Sequence, residues 1–277
     1  MEKQRASTRR KSGQSIAAGL LAYLAYLNAS AQTHPPINLS NAEALRIGRK
    51  IWQNECHGSI SGLTSWNEGE NFASLGIGHF IWYPEGMRGP FEESFPKVLS
   101  FAANHRAGAP GWLEQAHACP WNSRAEFSGA QNSPQMGQLR QFLAHTVDLQ
   151  AQFMVGRLQS ALGKMLDEAA PQDRMNVEQQ FARVASTGHG CYALVDYVNF
   201  KGEGVLRTER YQGQGWGLLQ VLEGMHGSGN GPSAAREFAR AAAAVLTRRV
   251  QNSPPERKES RWLPGWINRV NSYAENS

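Results

Sequence analysis

The chain has 277 residues, 41% of them apolar and 18% charged, enough to bury a sizeable core as one large or two small domains, which excludes bulk disorder and a simple fibrous protein. The net charge of +5 is unevenly placed: residues 1–31 hold five Lys/Arg against Glu2, leaving a net of +1 over the remainder, so a nucleic-acid-binding body is not indicated.

In chain order, residues 1–14 are basic and polar, residues 15–27 (SIAAGLLAYLAYL) are apolar, and Ala29-Ser30-Ala31 follows. That order predicts a signal peptide over 1–31 with cleavage near Ala31, because a thirteen-residue apolar run falls short of the roughly 20 residues of a membrane-spanning helix. The alternative is an uncleaved anchor. The expected location is the periplasm or outside the cell, with no stable membrane insertion once the leader is removed. Residues 32–39, with Pro35-Pro36, read as a linker.

A single domain is expected over 40–277. Ser40 and Glu43 form an S-x-x-E capping box that opens a helix running through Leu45, Ile51 and Trp52 towards Glu55, with Gly58 marking its end. Six glycines between Gly58 and Gly86 punctuate short β-leaning pieces over 58–88, read as a small hairpin or sheet lobe. Residues 89–132 read as loops with short helices. Ser133-Pro134 then suits an N-cap and first helical position, opening one long helix over about 135–168. Further helices are expected over about 173–186, 189–200, 212–226 and 232–251, with a short one after Pro264. With strands confined to the early stretch, the expected class is α+β, mostly α with a small β lobe. Cys56, Cys119 and Cys191 allow three alternative pairings, and no C-x-x-C spacing points to a structural zinc site.

Among residues able to do chemistry, Glu55 stands three and four positions after Trp52 and Ile51, near the C-terminal end of its helix. Apolar surroundings and the negative end of the helix dipole both disfavour a carboxylate, so a raised pKa is expected, as a general acid needs. The competing reading is an exposed polar residue ending a helix. Downstream, Glu68 and Glu70 flank Gly69 in an expected turn, and Ser74 precedes the run Gly76-Ile77-Gly78-His79. A glycosidase needs a second carboxylate opposite its acid, and such a turn can supply one; Glu70 is read as part of a solvated turn.

A helix-end glutamate, an acidic residue in a β-turn, a hydroxyl residue and then G-I-G-H resemble the phage-type lysozymes, whose signature is E-x8-D-x5-T followed by the same G-I-G-H. Here the pattern is E-x12-E-x5-S, from Glu55, Glu68 and Ser74; the first spacer is four residues longer, Glu replaces Asp and Ser replaces Thr. ALVDYVNFKGEG at 193–204 is similar to the buried central helix and following turn of those enzymes, and YQGQGWG at 211–217 is similar to a segment of the chitosanases, which share the lysozyme-like fold. The resemblance implies a lysozyme-like fold in which Glu55 protonates the glycosidic oxygen, Glu68 acts as base or stabilising carboxylate and Ser74 hydrogen-bonds the attacking water, with inversion at the sugar carbon. His79 is expected to support the acidic turn near Glu55. Trp66 and Tyr211 are assigned to sugar stacking, while Trp82, Tyr83 and Trp216 are read as core.

Asp196 and Asn199 lie on an otherwise apolar helix and must find partners or line a cleft. Arg248, Arg249, Arg257, Lys258 and Arg261 could meet anionic glycan or form a solvated face. The leading expectation is an exported hydrolase of β-1,4 linkages in peptidoglycan, with a chitosanase-type hydrolase as the alternative and a polysaccharide as the partner in either case. A non-catalytic lysozyme-like glycan-binding protein is the competing class. No cofactor and no metal are expected, since His57, His79 and His189 form no H-E-x-x-H cluster.

Overall fold

The capping box at Ser40 forms as its spacing predicts. Ser40 Oγ accepts from the Glu43 N–H at 3.3 Å, and a Glu43 carboxylate oxygen accepts from the Ser40 N–H at 3.0 Å. Helix α1 (Asn41–Cys56) runs from this cap to His57, which takes a left-handed conformation, and the N–H of Gly58 closes the end on the Trp52 carbonyl. The computed structural model describes residues 37, 39–89 and 91–275. The signal peptide expected over 1–31 and all but residues 37 and 39 of the 32–39 linker lie outside the described residues. From Ile37 onward the chain forms one compact unit.

The expected β lobe is a three-stranded antiparallel sheet in sequence order: β1 (Thr64–Ser65), β2 (Ala73–Leu75) and β3 (Phe80–Trp82), with Ser74 opposite both Ser65 and Ile81. Short helices follow, α2 (Phe95–Asn104), α3 (Gly111–Glu114) and α4 (Arg124–Gly129). Trp82 packs on Phe95 with ring centroids 4.9 Å apart, which fastens the sheet to α2.

One long helix over 135–168 is not what forms. The chain makes α5 (Pro134–His145) and α6 (Val147–Glu168), interrupted at Thr146. Gln150, fully buried on α6, donates to the Leu143 carbonyl at 2.7 Å and to Thr146 Oγ1 at 3.1 Å, satisfying the broken end of α5 with its side chain. Its carbonyl oxygen accepts from the Ile77 N–H at 3.0 Å, in the turn between β2 and β3. Gly76 lies at φ +70° in that turn, and a Cβ there would overlap the Gln150 amide. One buried amide therefore explains the helix break and fixes the turn that carries His79.

The remaining body is helical: α7 (Arg174–Ala185), α8 (Gly188–Lys201), α9 (Leu218–Glu223), α10 (Pro232–Asn252) and α11 (Leu263–Asn271). α1 packs between α6 and α8, while α11 lies along α10. α8 starts tightly against the end of α7, where a Cβ on Gly190 would overlap the Val184 carbonyl oxygen. The helix expected over 212–226 is corrected to α9 alone, preceded by a hairpin of β4 (Arg210–Tyr211) and β5 (Gln214–Gly215). Gln212 and Gly213 both take positive φ, which a two-residue hairpin turn needs and a helix cannot accept. Strands are thus not confined to the early stretch. The class remains α+β, with 61% of the structure helical against two small antiparallel sheets.

None of the cysteine pairings is realised: Cys56, Cys119 and Cys191 are free and buried. Burial pushes the Cys56 thiol up to about 11 and the other two to about 12, so all three are protonated at neutral pH. Among the described residues no helix is long and apolar enough to cross a membrane.

Gln150→Leu keeps the volume and removes both amide functions, leaving the buried Ile77 N–H without its partner. Urea unfolding should show a loss of about 2 kcal/mol relative to the parent.

Candidate active site

The site is built from Asp196 upward. This residue is fully buried on α8, where an unpaired carboxylate would be costly, and Arg269 of α11 meets it with two bonds: Nε to Oδ2 at 2.8 Å and Nη2 to Oδ1 at 2.9 Å. The Tyr273 hydroxyl donates to the same carboxylate from the turn after α11. Arg269 Nη2 also donates to Glu55 Oε1, so one guanidinium bridges two carboxylates from different helices. The far face of Glu55 belongs to the β lobe, with His79 Nε2 3.3 Å from Oε2. Beside this group Asn54 Nδ2 donates to the Tyr192 hydroxyl at 2.6 Å, and the Arg269 guanidinium lies 4.3 Å from the centre of the Phe200 ring.

The two ends of the predicted motif therefore meet. The helix-end glutamate and the histidine closing G-I-G-H are in direct contact, because the Gln150-anchored turn aims His79 back at α1. His79 adopts φ +48°, a left-handed conformation uncommon for a residue with a Cβ, and its imidazole is partly open to solvent.

The raised pKa expected for Glu55 is corrected. Burial does push its carboxyl upward, but the bond from His79 and the charge and bond of Arg269 outweigh it, and the group falls from the usual 4.5 to about 2. In this state Glu55 is an anion held between two donors, with its side chain 16% exposed.

The other predicted residues make contacts of their own. Glu68 is exposed in the turn between β1 and β2, and Glu70 beside it accepts from Asn67 Nδ2 at 3.1 Å. Ser74 is buried in the middle strand, where its carbonyl accepts from Ser65 Oγ at 3.4 Å. Trp66 proves to be a core residue rather than a stacking platform: it is 7% exposed, packs on Phe127, and its indole N–H donates to the Glu70 carbonyl at 2.7 Å. Asn199 is exposed. Among the described residues the hydrogen-bond partners of Glu55 are His79 and Arg269; Glu68, Ser74, Trp66 and Tyr211 are not among them.

Tyr211 belongs to a second cluster. Its hydroxyl donates to Glu259 Oε1 at 2.9 Å, and Glu259 is also gripped by Arg249, Nε to Oε2 at 2.8 Å and Nη2 to Oε1 at 2.9 Å. The Arg249 guanidinium lies 4.1 Å from the Trp216 ring centre and 5.0 Å from that of Trp266. Phe200 and Trp266 pack edge to face at 6.4 Å, and this pair joins the second cluster to Arg269.

Sequence reasoning missed Arg269 and Tyr273. The available signal was Asp196 itself, a charge on an apolar helix that requires a buried cation somewhere in the chain. Among the described residues no group of three or more His, Cys, Asp or Glu side chains is arranged to hold a metal ion. His189, one of the three histidines weighed for that role, donates through Nε2 to the Tyr273 carbonyl at 2.7 Å. Compared with family models, with curated proteins and with solved structures, the chain matches none.

Two consequences are measurable. A carboxyl whose pKa is depressed by folding stabilises the fold above its unfolded value and loses that contribution as pH falls through the folded value. Between pH 4.5 and 2 the parent should lose about 2–3 kcal/mol that Glu55→Gln does not, read as the difference in pH slope of urea unfolding. Asp196→Asn, which leaves Arg269 without its bidentate partner, should cost about 3–5 kcal/mol at pH 7 in the same assay.

Proposed function

We propose that the chain is an exported glycoside hydrolase of lysozyme-like fold that cleaves β-1,4 linkages in peptidoglycan, with Glu55 as its reacting carboxyl. The observation that carries this reading is the contact of Glu55 with His79. Two segments 24 residues apart, each named by the motif, converge on one partly open carboxyl where the small β lobe meets the helical body. A substrate-cleaving site needs such a group, neither sealed in the core nor fully solvated.

The charge state sets the order of events. Glu55 held near 2 is almost wholly ionised at neutral pH and donates no proton. Arg269 is shared, and its second carboxylate, Asp196, takes it with two bonds. A sugar ring entering beside Glu55 displaces the Arg269 and His79 bonds, Arg269 stays with Asp196, and burial then becomes the dominant influence and raises the carboxyl into the range of a general acid. Glu55 takes up a proton from solvent and passes it to the glycosidic oxygen as the C–O bond breaks, while Glu68, exposed on its turn, accepts a proton from the water that adds to the sugar carbon from the opposite face. Inversion is the outcome the resemblance implies.

The competing reading is a glycan-binding protein that does not cut. It is favoured by the same clamp, since Glu55 is anionic at rest and among the described residues no second carboxylate contacts it. Mass analysis after incubating the full chain separately with purified peptidoglycan and with chitosan tests both. Hydrolysis predicts peptidoglycan fragments each carrying one added water, and Glu55→Gln should lower their rate by about 10²–10⁴-fold. Fragments from chitosan alone would move the substrate to that polymer. Retention on peptidoglycan with no fragments would establish the binder, and full activity in Glu55→Gln would remove Glu55 from the chemistry.

A further inference from the structure

We propose that Lys201, flanked by Trp266 and Arg249, is a subsite for a carboxylate carried on an amino-sugar chain, giving the Glu55 site a preference for acidic over neutral glycans. This rests on the hydrolase reading and specifies the substrate class that reading leaves broad.

Lys201 is the last residue of α8, one position after Phe200, and only 9% of it is exposed. Its ammonium points into rings, 3.3 Å from the Trp266 centroid and 3.9 Å from that of Phe200. Among the described residues no carboxylate comes within 4 Å of it. The carboxylates nearby are already committed. Glu259 gives both oxygens to Arg249 and accepts from Tyr211, while Asp196 and Glu55 are both held by Arg269. Lys201, Arg249 and Arg269 are thus linked through the Phe200 and Trp266 rings, and of the three Lys201 is the one with no carboxylate within 4 Å, Glu259 acting on it only from farther off.

A buried ammonium without a counter-ion is costly, and aromatic faces offset only part of that cost. Burial, and next the charge of Arg249, draw the Lys201 amine down to about 7 against the opposing pull of Glu259. A carboxylate placed against it completes the pair that the fold leaves open. Trp266, half-buried over the amine, offers its ring to the sugar that bears the acid. Its contact with Phe200, and the contact of Phe200 with Arg269, place this position two rings away from the guanidinium that holds Glu55.

Binding calorimetry on the full chain tests this with three tetrasaccharides: neutral N-acetylglucosamine, a peptide-free alternating saccharide with free lactyl carboxylates, and the same saccharide carrying stem peptides. The peptide-free acidic ligand should bind about tenfold more tightly than the neutral one. Lys201→Met should abolish that difference and Lys201→Arg should retain it. A preference confined to the peptide-bearing ligand, and lost in Lys201→Met, supports the subsite and assigns its carboxylate to the stem. Equal affinity for all three ligands, or a preference that survives in Lys201→Met, overturns the subsite; peptidoglycan fragments seen alongside that result leave the hydrolase reading standing. Absence of both binding and fragments overturns the two together.

Discussion

The pairing of Asp196 with Arg269 is the constraint on which the rest of the structure depends. A carboxylate with no exposure on the central helix α8 is tolerable only with a cation brought to it, and α11 and the turn at Tyr273 are held in place to do so. Because the guanidinium has a donor to spare, the same pairing fixes Glu55 at the end of α1. Buried ion pairs of this kind are weak sources of net stability but strict specifiers of geometry, since either partner alone is worse than none. Here the geometry specified is that of Glu55, a carboxyl shared between the helical body and the β lobe.

That carboxyl is pulled in opposite directions. Its partial burial favours the neutral acid, and its two donors favour the anion; in this state the donors win. The balance is held by contacts that a ligand can replace, which distinguishes it from a pKa set by burial alone. On the hydrolase reading proposed above, the carboxyl becomes an acid only when a substrate displaces those donors, which ties its strength to occupancy of the site. The turn bearing His79 contributes to this control from a distance: Gln150 on α6 pins the turn, and the turn aims the imidazole.

Local signals in the sequence are read correctly where local physics decides. The Ser40–Glu43 box, the stop at Gly58, the start at Ser133-Pro134 and the glycine-punctuated lobe all rest on hydrogen bonds within a few residues. The break at Thr146 carries no Gly or Pro to mark it; the buried Gln150 side chain caps it through Leu143 and Thr146 and also reaches a turn 73 residues earlier. The hairpin at 210–215 was hidden for a related reason: Gln212-Gly213 is a turn only because both residues take positive φ, and the flanking apolar pattern suits the helix that starts just after it. For Glu55 the position was legible and the charge was not. Its apolar neighbours precede it on the same helix, but the two groups that together lower its pKa, His79 and Arg269, lie 24 and 214 residues away. Trp66 shows the converse, an aromatic beside the motif whose indole is consumed by its own turn.

That separation has a consequence for how the protein comes into being. Glu55 leaves the ribosome long before α11 does, so α1 and the β lobe can form while the counter-charge for both Glu55 and Asp196 has yet to be translated. A nascent chain halted before residue 263 has two acidic groups on packing helices with no guanidinium to receive them. The cluster around Glu55 is therefore completed only after α11 has been made.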